Sequence, residues 1–149
     1  MAQPLQDVLA GAMRLLALRE HSRQELRRKL VQKGHESALV ESVVMQLAQQ
    51  GLQSDARFVE SFINSRRERG QGPKRIRLEL QPHDIEPGLI EDYLDERDPR
   101  WRQNAARVRV KKFGQLLPAE FKERMKQVRF LEYRGFTNEQ IRTLFNELE

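Results

Sequence analysis

The chain has 149 residues, enough for one ordinary domain or a short array of small repeated units, and 38% of them are hydrophobic against 33% charged. It has no cysteine, which excludes disulfide scaffolds, thiol nucleophiles and cysteine-based zinc sites, and no apolar run approaches the roughly 20 residues that span a bilayer. Lys and Arg number 27 against 22 Asp and Glu, a net +5 that permits nucleic-acid contact but equally serves solubility.

From the start of the chain, Met1 to Gly11 has neither the charged opening nor the apolar block of a signal peptide, so a cytoplasmic location is expected. Val8, Ala12, Leu15 and Leu16 mark the inner face of a first helix by their spacing. Ser22 with Glu25 has the capping-box spacing for a second helix, whose stripe is Leu26 and Leu30 and whose end is Gly34. Val40, Val43, Val44 and Leu47 define a third, closed by Gly51. Ser54 or Asp55 caps a fourth, with Phe58, Val59, Phe62 and Ile63 inside. After Gly70 and Gly72, Pro73 suits the first turn of a fifth helix, which carries Ile76 and Leu80 and stops before Pro82. Pro87 opens a sixth with Ile90, Tyr93 and Leu94. A seventh spans about Pro99 to Phe113, with Ala106, Val110 and Phe113 as its apolar side. Pro118 opens an eighth, with Phe121, Met125, Val128 and Leu131 inward and Gly135 at its end. Thr137 with Gln140 forms another capping box before Ile141, Leu144, Phe145 and Leu148. The reading is all-α.

A repeat underlies this order. Leu26, Leu30, Val40, Val43 and Val44 match Ile76, Leu80, Ile90, Tyr93 and Leu94 at a constant offset. Leu30, Gly34, His35, Val40, Val43, Val44 and Leu47 match Leu131, Gly135, Phe136, Ile141, Leu144, Phe145 and Leu148 at a second one. The expected architecture is three tandem three-helix repeats, 1–53, 54–98 and 99–149, in an elongated and curved array. Units this small must share faces to bury enough surface.

Charge is segregated along this array. Residues 66–77 hold six basic groups against Glu68 alone, residues 84–98 hold seven acids against Arg97 alone, and residues 101–112 hold five basic groups and no acid. A surface tuned only for solubility mixes its signs. Catalysis finds no footing: His21, His35 and His83 have no partner at metal-ligand spacing and are expected as caps or surface groups. Gly70-Gln71-Gly72-Pro73-Lys74 lacks the strand and the Lys-Ser/Thr of a phosphate loop. The acids of 84–98 sit on exposed positions with no apolar pocket to raise a pKa. No enzyme, metal or cofactor is expected. Trp101, Tyr93 and Tyr133 are read as packing residues, Trp101 at the junction of the second and third repeats.

The sharpest local signal is Asp55 to Leu80, where two helices meet at a Gly-x-Gly-Pro turn with Arg66, Arg67 and Arg69 before it and Lys74, Arg75 and Arg77 after it. Arginines concentrated at one turn can grip phosphate or carboxylate with paired donors; the alternative is that the glycines end a helix and the arginines stay solvated. Arg107, Lys111 and Lys112 form a second candidate patch, on charge alone.

Three motifs carry a resemblance. They are Ser22-x-x-Glu25-Leu26-x-x-Lys29-Leu30-x-x-Lys33-Gly34; Asp55-x-x-Phe58 running into Arg69-Gly70-x-Gly72-Pro73-x-x-Ile76-x-x-Glu79-Leu80; and Arg129-Phe130-Leu131-x-x-Arg134-Gly135-Phe136 followed by Ile141. With them the chain resembles, over about residues 12–146, the RecX regulatory proteins, modulators of the RecA recombinase. The resemblance implies three three-helix repeats and a non-enzymatic role. It implies binding to the RecA–DNA filament, with restraint of ATP hydrolysis, strand exchange and the co-protease activity behind the SOS response; a monomer is expected. DNA itself would be bound weakly and without sequence preference, and no membrane is involved. Arg66, Arg69, Lys74 and Arg75 lie in the matching motif and are the leading contact candidates. Two other readings stay open: a helix-turn-helix transcription regulator built on Ser22–Leu47 or Thr137–Leu148, and a passive adaptor that binds protein alone. Against the first, residues 36–50 contain no Lys or Arg with which to meet a duplex.

Overall fold

In the computed structural model, which describes residues 2–148, the order is α1 (Ala2–Leu18), α2 (Arg23–Gln32), α3 (Ser37–Gln49), α4 (Asp55–Glu68), α5 (Pro73–Leu80), a 3₁₀ turn (Gln81–His83), α6 (Pro87–Tyr93), α7 (Arg100–Phe113), α8 (Phe121–Tyr133) and α9 (Asn138–Leu148). The described residues contain no strand. They form two compact units: one takes the chain up to Ser61 together with Gln81–Leu89, the other Phe62–Leu80 together with the chain from Ile90 onward.

The repeat is visible in the backbone. α2 and α8 end with the same pair of bonds, Gly34 N–H to Val31 O (2.9 Å) with His35 N–H to Leu30 O (3.3 Å), and Gly135 N–H to Glu132 O (3.0 Å) with Phe136 N–H to Leu131 O (3.1 Å). The equivalent position after α5 is Asp84, which takes the left-handed conformation (φ 52°) without being glycine and donates to Gln81 O (3.3 Å). So all three turns bend the same way, and Ile85 and Phe136 follow them into their cores while His35 stays half-buried.

In the first unit, Val8 and Ala12 of α1, Leu26 and Leu30 of α2, and Val40, Val43, Val44 and Leu47 of α3 form one buried cluster. Ser22 caps α2 by accepting from Glu25 N–H (3.1 Å), and Ser54 caps α4 by accepting from Arg57 N–H (3.2 Å). The Ser22 box closes on one side only, because the Glu25 carboxylate turns to Arg19, receiving Nη1 at 3.0 Å and Nη2 at 2.6 Å. The second box is reciprocal: Gln140 N–H donates to Thr137 Oγ1 (3.1 Å) and Thr137 N–H to Gln140 Oε1 (2.9 Å).

Two histidines differ from expectation. His21 is buried rather than a surface group: Lys29 Nζ donates to its Nε2 (3.1 Å), which leaves the proton on Nδ1 to bond Arg19 O (3.1 Å). His83 is half-buried, with Nδ1 2.9 Å from Ser22 Oγ and its ring against Phe58. Burial lowers the pKa of both. For Glu25 burial pushes upward, but the bonds and charge of Arg19, aided by His21 and Lys29, win and hold it at about 2. All three groups carry fewer protons when folded than when unfolded, so their contributions are complete above pH of about 6.5 and are lost on acidification. The histidine contributions go first, below about pH 6.5, and that of Glu25 follows between about 4.5 and 2. Glu25→Gln is therefore expected to destabilise the chain by about 2 kcal/mol at pH 7, a figure discounted because Arg19 is half-exposed, and by nearly nothing at pH 2. Urea melts at the two pH values check it; an equal loss at both would refute it.

In the second unit the buried residues include Ile63, Ile76, Leu80, Leu94, Trp101, Ala105, Val108, Leu131, Phe136, Ile141, Leu144 and Phe145. Its inner α7 face is Trp101, Ala105, Val108 and Arg109, not Ala106, Val110 and Phe113. Scoring residues by type misses this phase because a charged side chain occupies an inner position. The α8 helix begins at Phe121, not Pro118, and Phe121 is exposed instead of inward; Met125 and Val128 are half-buried. Tyr93 and Tyr133 are exposed rather than packed, and Trp101 is buried with its indole N–H on Asp95 O (2.8 Å).

Candidate functional site

The glycine turn between α4 and α5 docks against the turn that ends α8, all within the second unit. Gly72 N–H donates to Arg134 O (2.7 Å) and Lys74 N–H to Gly135 O (2.9 Å). The Arg134 side chain returns the contact, giving Nη2 to Arg69 O (2.6 Å) and Nε to Gly70 O (3.3 Å). Gly70 closes α4 with φ 86°, and a Cβ there would sit 2.8 Å from Arg134 Nη2 and 2.9 Å from Val108 Cγ2. A bare backbone at this point is what lets α7 and Arg134 come close.

This packing makes a cleft of about 350 Å³ lined by Arg69, Gly70, Arg107, Val108, Lys111, Lys112, Phe130 and Arg134. Val108 and Phe130 supply an apolar floor. Phe130 meets Phe113 edge-on (centroids 5.4 Å apart), with the Lys112 ammonium 5.7 Å and the Arg134 guanidinium 5.9 Å from its ring. Cations on an apolar base act through less water than cations on an open surface, so their attraction for an anion is stronger.

The two basic patches read from the sequence thus meet in part. Arg69 comes from the first, and Arg107, Lys111 and Lys112 from the second. The others stand outside the cleft. Arg66 pairs with Glu79 (2.9 Å) and covers Phe62; Arg75 pairs with the other oxygen of Glu79 (3.3 Å) and lies over Tyr133. Arg77 pairs with Glu91 and reaches Glu96 at 3.6 Å. Arg67 donates to Asn64 Oδ1 (2.5 Å) and lies 5.8 Å from the Trp101 ring, while Lys74 is exposed. Arg134 was not among the candidates. The signal for it was its place before Gly135 in the third motif, but the partner turn lies some sixty residues away.

The acidic block lines a different opening of the second unit, about 670 Å³, with Glu91, Asp92, Asp95, Glu96 and Glu139 interleaved with Arg77 and Arg97. Asp98 is held below its ordinary pKa by bonds from the Arg100 side chain and backbone, which is the opposite of what a general acid requires. Among the described residues no cluster of His, Asp and Glu is suited to a metal ion, and no helix is long and apolar enough to cross a membrane.

Family profiles match the chain in three places: RecX first three-helix domain over residues 10–47, RecX second three-helix domain over 54–94, and RecX third three-helix domain over 102–145. The chain belongs to the RecX family. Relatives named regulatory protein RecX include that of Halorhodospira halophila, 44% identical over 89% of this chain and 82% of its own length. The protein of Yersinia enterocolitica is 37% identical over 96% and 98%, and that of Pseudomonas entomophila 44% identical over 91% and 87%. The crystal structure of RecX from Lactobacillus salivarius superposes with a TM-score of 0.83 over 99% of this chain and 98% of its own. A second RecX crystal structure gives 0.81 over 97% and 74%. At 20% identity, both speak to the fold alone.

Proposed function

We propose that this RecX protein is a non-enzymatic, cytoplasmic regulator that binds RecA nucleoprotein filaments and restrains RecA ATPase, recombinase and co-protease activities, and with them DNA repair and the SOS response. The observation that carries the reading is the cleft in which Arg69, Arg107, Lys111, Lys112 and Arg134 converge, in a chain whose relatives are named as regulators. Cations gathered around an apolar floor fit a polyanion, and a nucleoprotein filament offers phosphate and protein together. Guanidinium groups at Arg69 and Arg107 can take two phosphate oxygens each, whereas Lys111 and Lys112 act as point charges. The transcription-regulator reading fares worse. α3 carries Glu41 and no basic residue, and α9 carries Arg142 against Glu139 and Glu147, so neither helix suits a major groove.

The test is ATP turnover by RecA on single-stranded DNA with the protein added below stoichiometry. Turnover is expected to fall several-fold; an unchanged rate at equimolar protein would overturn the reading.

A further inference from the structure

Arg109 is the largest fully buried side chain among the described residues, with 1% of its surface exposed. Its partners among the described residues are neutral oxygens: Nη1 lies 3.2 Å from Gln127 Oε1 and 3.5 Å from Leu116 O, and Nη2 lies 3.5 Å from Gln115 O. Its Nε has no partner among the described residues. Burying a guanidinium without a carboxylate is unfavourable, and an apolar residue there would ordinarily serve stability as well or better. What Arg109 does instead is hold the backbone of the segment between α7 and α8 from inside, tying it to α8 through Gln127.

That segment carries an unusual load. Leu116 is 88% exposed, Leu117 44% and Phe121, the first residue of α8, 77%. Single exposed apolar residues are ordinary on any surface. Three large ones within six positions, on a segment pinned by a buried charge, are not explained by the fold, which buries none of them well. Four exposed lysines border the segment, Lys111 and Lys112 before it and Lys122 and Lys126 after it, and they outnumber its two acids, Glu120 within it and Glu123 just beyond.

We propose that residues 114–121 are a preformed apolar anchor that seats Leu116, Leu117 and Phe121 in an apolar pocket, rimmed by carboxylates, on a partner protein. This rests on the function proposed above, on which the partner is the protein protomer of the filament. The clamp on Gln115 and Leu116 fixes the segment before binding, which lowers the entropy lost on association. The bordering lysines favour an acidic rim and steer the approach. A second copy of this chain is the wrong occupant, because it would bring the same lysines face to face. A base step is also a poor fit, since an apolar wedge must first unstack it. A bilayer surface needs a sustained apolar helix face, and α8 continues outward from Phe121 with Lys122, Lys126, Arg129 and Glu132.

The experiment compares the wild-type chain with the combined variant Leu116→Ser, Leu117→Ser, Phe121→Ser, whose sites are exposed enough to leave the thermal melt unchanged. Affinity is measured for RecA assembled on single-stranded DNA, for the same DNA without RecA, and for anionic phosphatidylserine vesicles. Filament affinity is expected to fall about 30-fold, the loss typical of a disrupted interface hot spot, and to fall equally at low and high salt. Affinity for naked DNA is expected to stay as it was, and neither chain is expected to bind vesicles. Equal filament binding by both chains overturns the anchor and leaves the proposed function standing. A matching loss on naked DNA overturns it in favour of a base wedge, and vesicle binding lost in the variant overturns it in favour of a lipid surface. A wild-type chain that does not bind the filament overturns the proposed function and the partner named here together.

Discussion

Gly72→Ala is expected to unfold the second unit at temperatures where the wild-type chain is intact. The Gly72 backbone lies against the backbone of Gly135 and Phe136, and a Cβ would fall closer than 3.0 Å to three of their main-chain atoms. Backbone cannot rotate aside as a side-chain tip can, so relief requires the two turns to separate. Separation breaks Gly72 N–H to Arg134 O and Lys74 N–H to Gly135 O, and it pulls the Arg134 guanidinium from the Arg69 and Gly70 carbonyls. Overpacking and lost bonds together should cost about 3–5 kcal/mol, near the upper end for a single substitution. Gly135→Ala meets Arg75 equally closely and adds a φ of 100° that side chains rarely adopt, so it should be as damaging. The control is Gly88→Ala. A Cβ there meets nothing nearer than Glu86 Oε1 at 3.9 Å, and the change should be neutral or stabilise by up to about 1 kcal/mol. Urea titration followed by circular dichroism checks all three, and a Gly72→Ala chain with the wild-type midpoint would show that the two turns do not meet as described.

The same pair of turns marks where the sequence could and could not be read. Helix ends were legible because their chemistry is local: Gly34 and Gly135 accept a left-handed backbone, and Thr137 and Gln140 cap each other over three residues. The repeat was legible because one apolar register persists across a helix, a turn and a helix, and Asp84 holds the same turn without the glycine. The cleft was legible only as two unconnected runs of charge. Nothing within either run says that Arg69 and Arg107 face one space while Arg66, Arg75 and Arg77 are matched by Glu79, Glu91 and Glu96, because those pairings depend on packing between distant segments. The burial of Arg109 went unread, and His21 was misplaced, for a related reason. Periodicity assigns burial by residue type, whereas a polar group is buried wherever the fold brings it partners, in full or in part: Lys29 and the Arg19 carbonyl bond the His21 ring, and Gln127 meets one nitrogen of Arg109.

Neutralising the cleft should cost far more DNA affinity than neutralising the paired arginines beside it. In the combined variant Arg69→Gln, Arg107→Gln, Lys111→Gln, Lys112→Gln, four exposed or cleft-lining cations are lost, and Arg134 is left in place because its donors hold the Arg69 and Gly70 carbonyls. If each of the four meets a phosphate, the slope of log affinity against log salt on single-stranded DNA should flatten by about 3, at about 0.7 per contact. Near 0.1 M salt that corresponds to a loss on the order of 100- to 1000-fold. The comparison is Arg66→Gln, Arg75→Gln, Arg77→Gln, which removes nearly as much net charge. Those guanidiniums are already engaged by Glu79, Glu91 and Glu96, so little counterion is released when phosphate approaches them, and the slope should change by less than about 1. Each lost ion pair is partly exposed and should cost no more than about 1 kcal/mol of stability, leaving the comparison chain folded. Because both variants lower the net charge, a general field effect predicts similar losses for the two, whereas a built cleft predicts a large difference. Anisotropy titrations at a series of salt concentrations decide it: equal slopes would mean that DNA senses the net +5 of the chain and not the place where Arg69, Arg107, Lys111 and Lys112 come together.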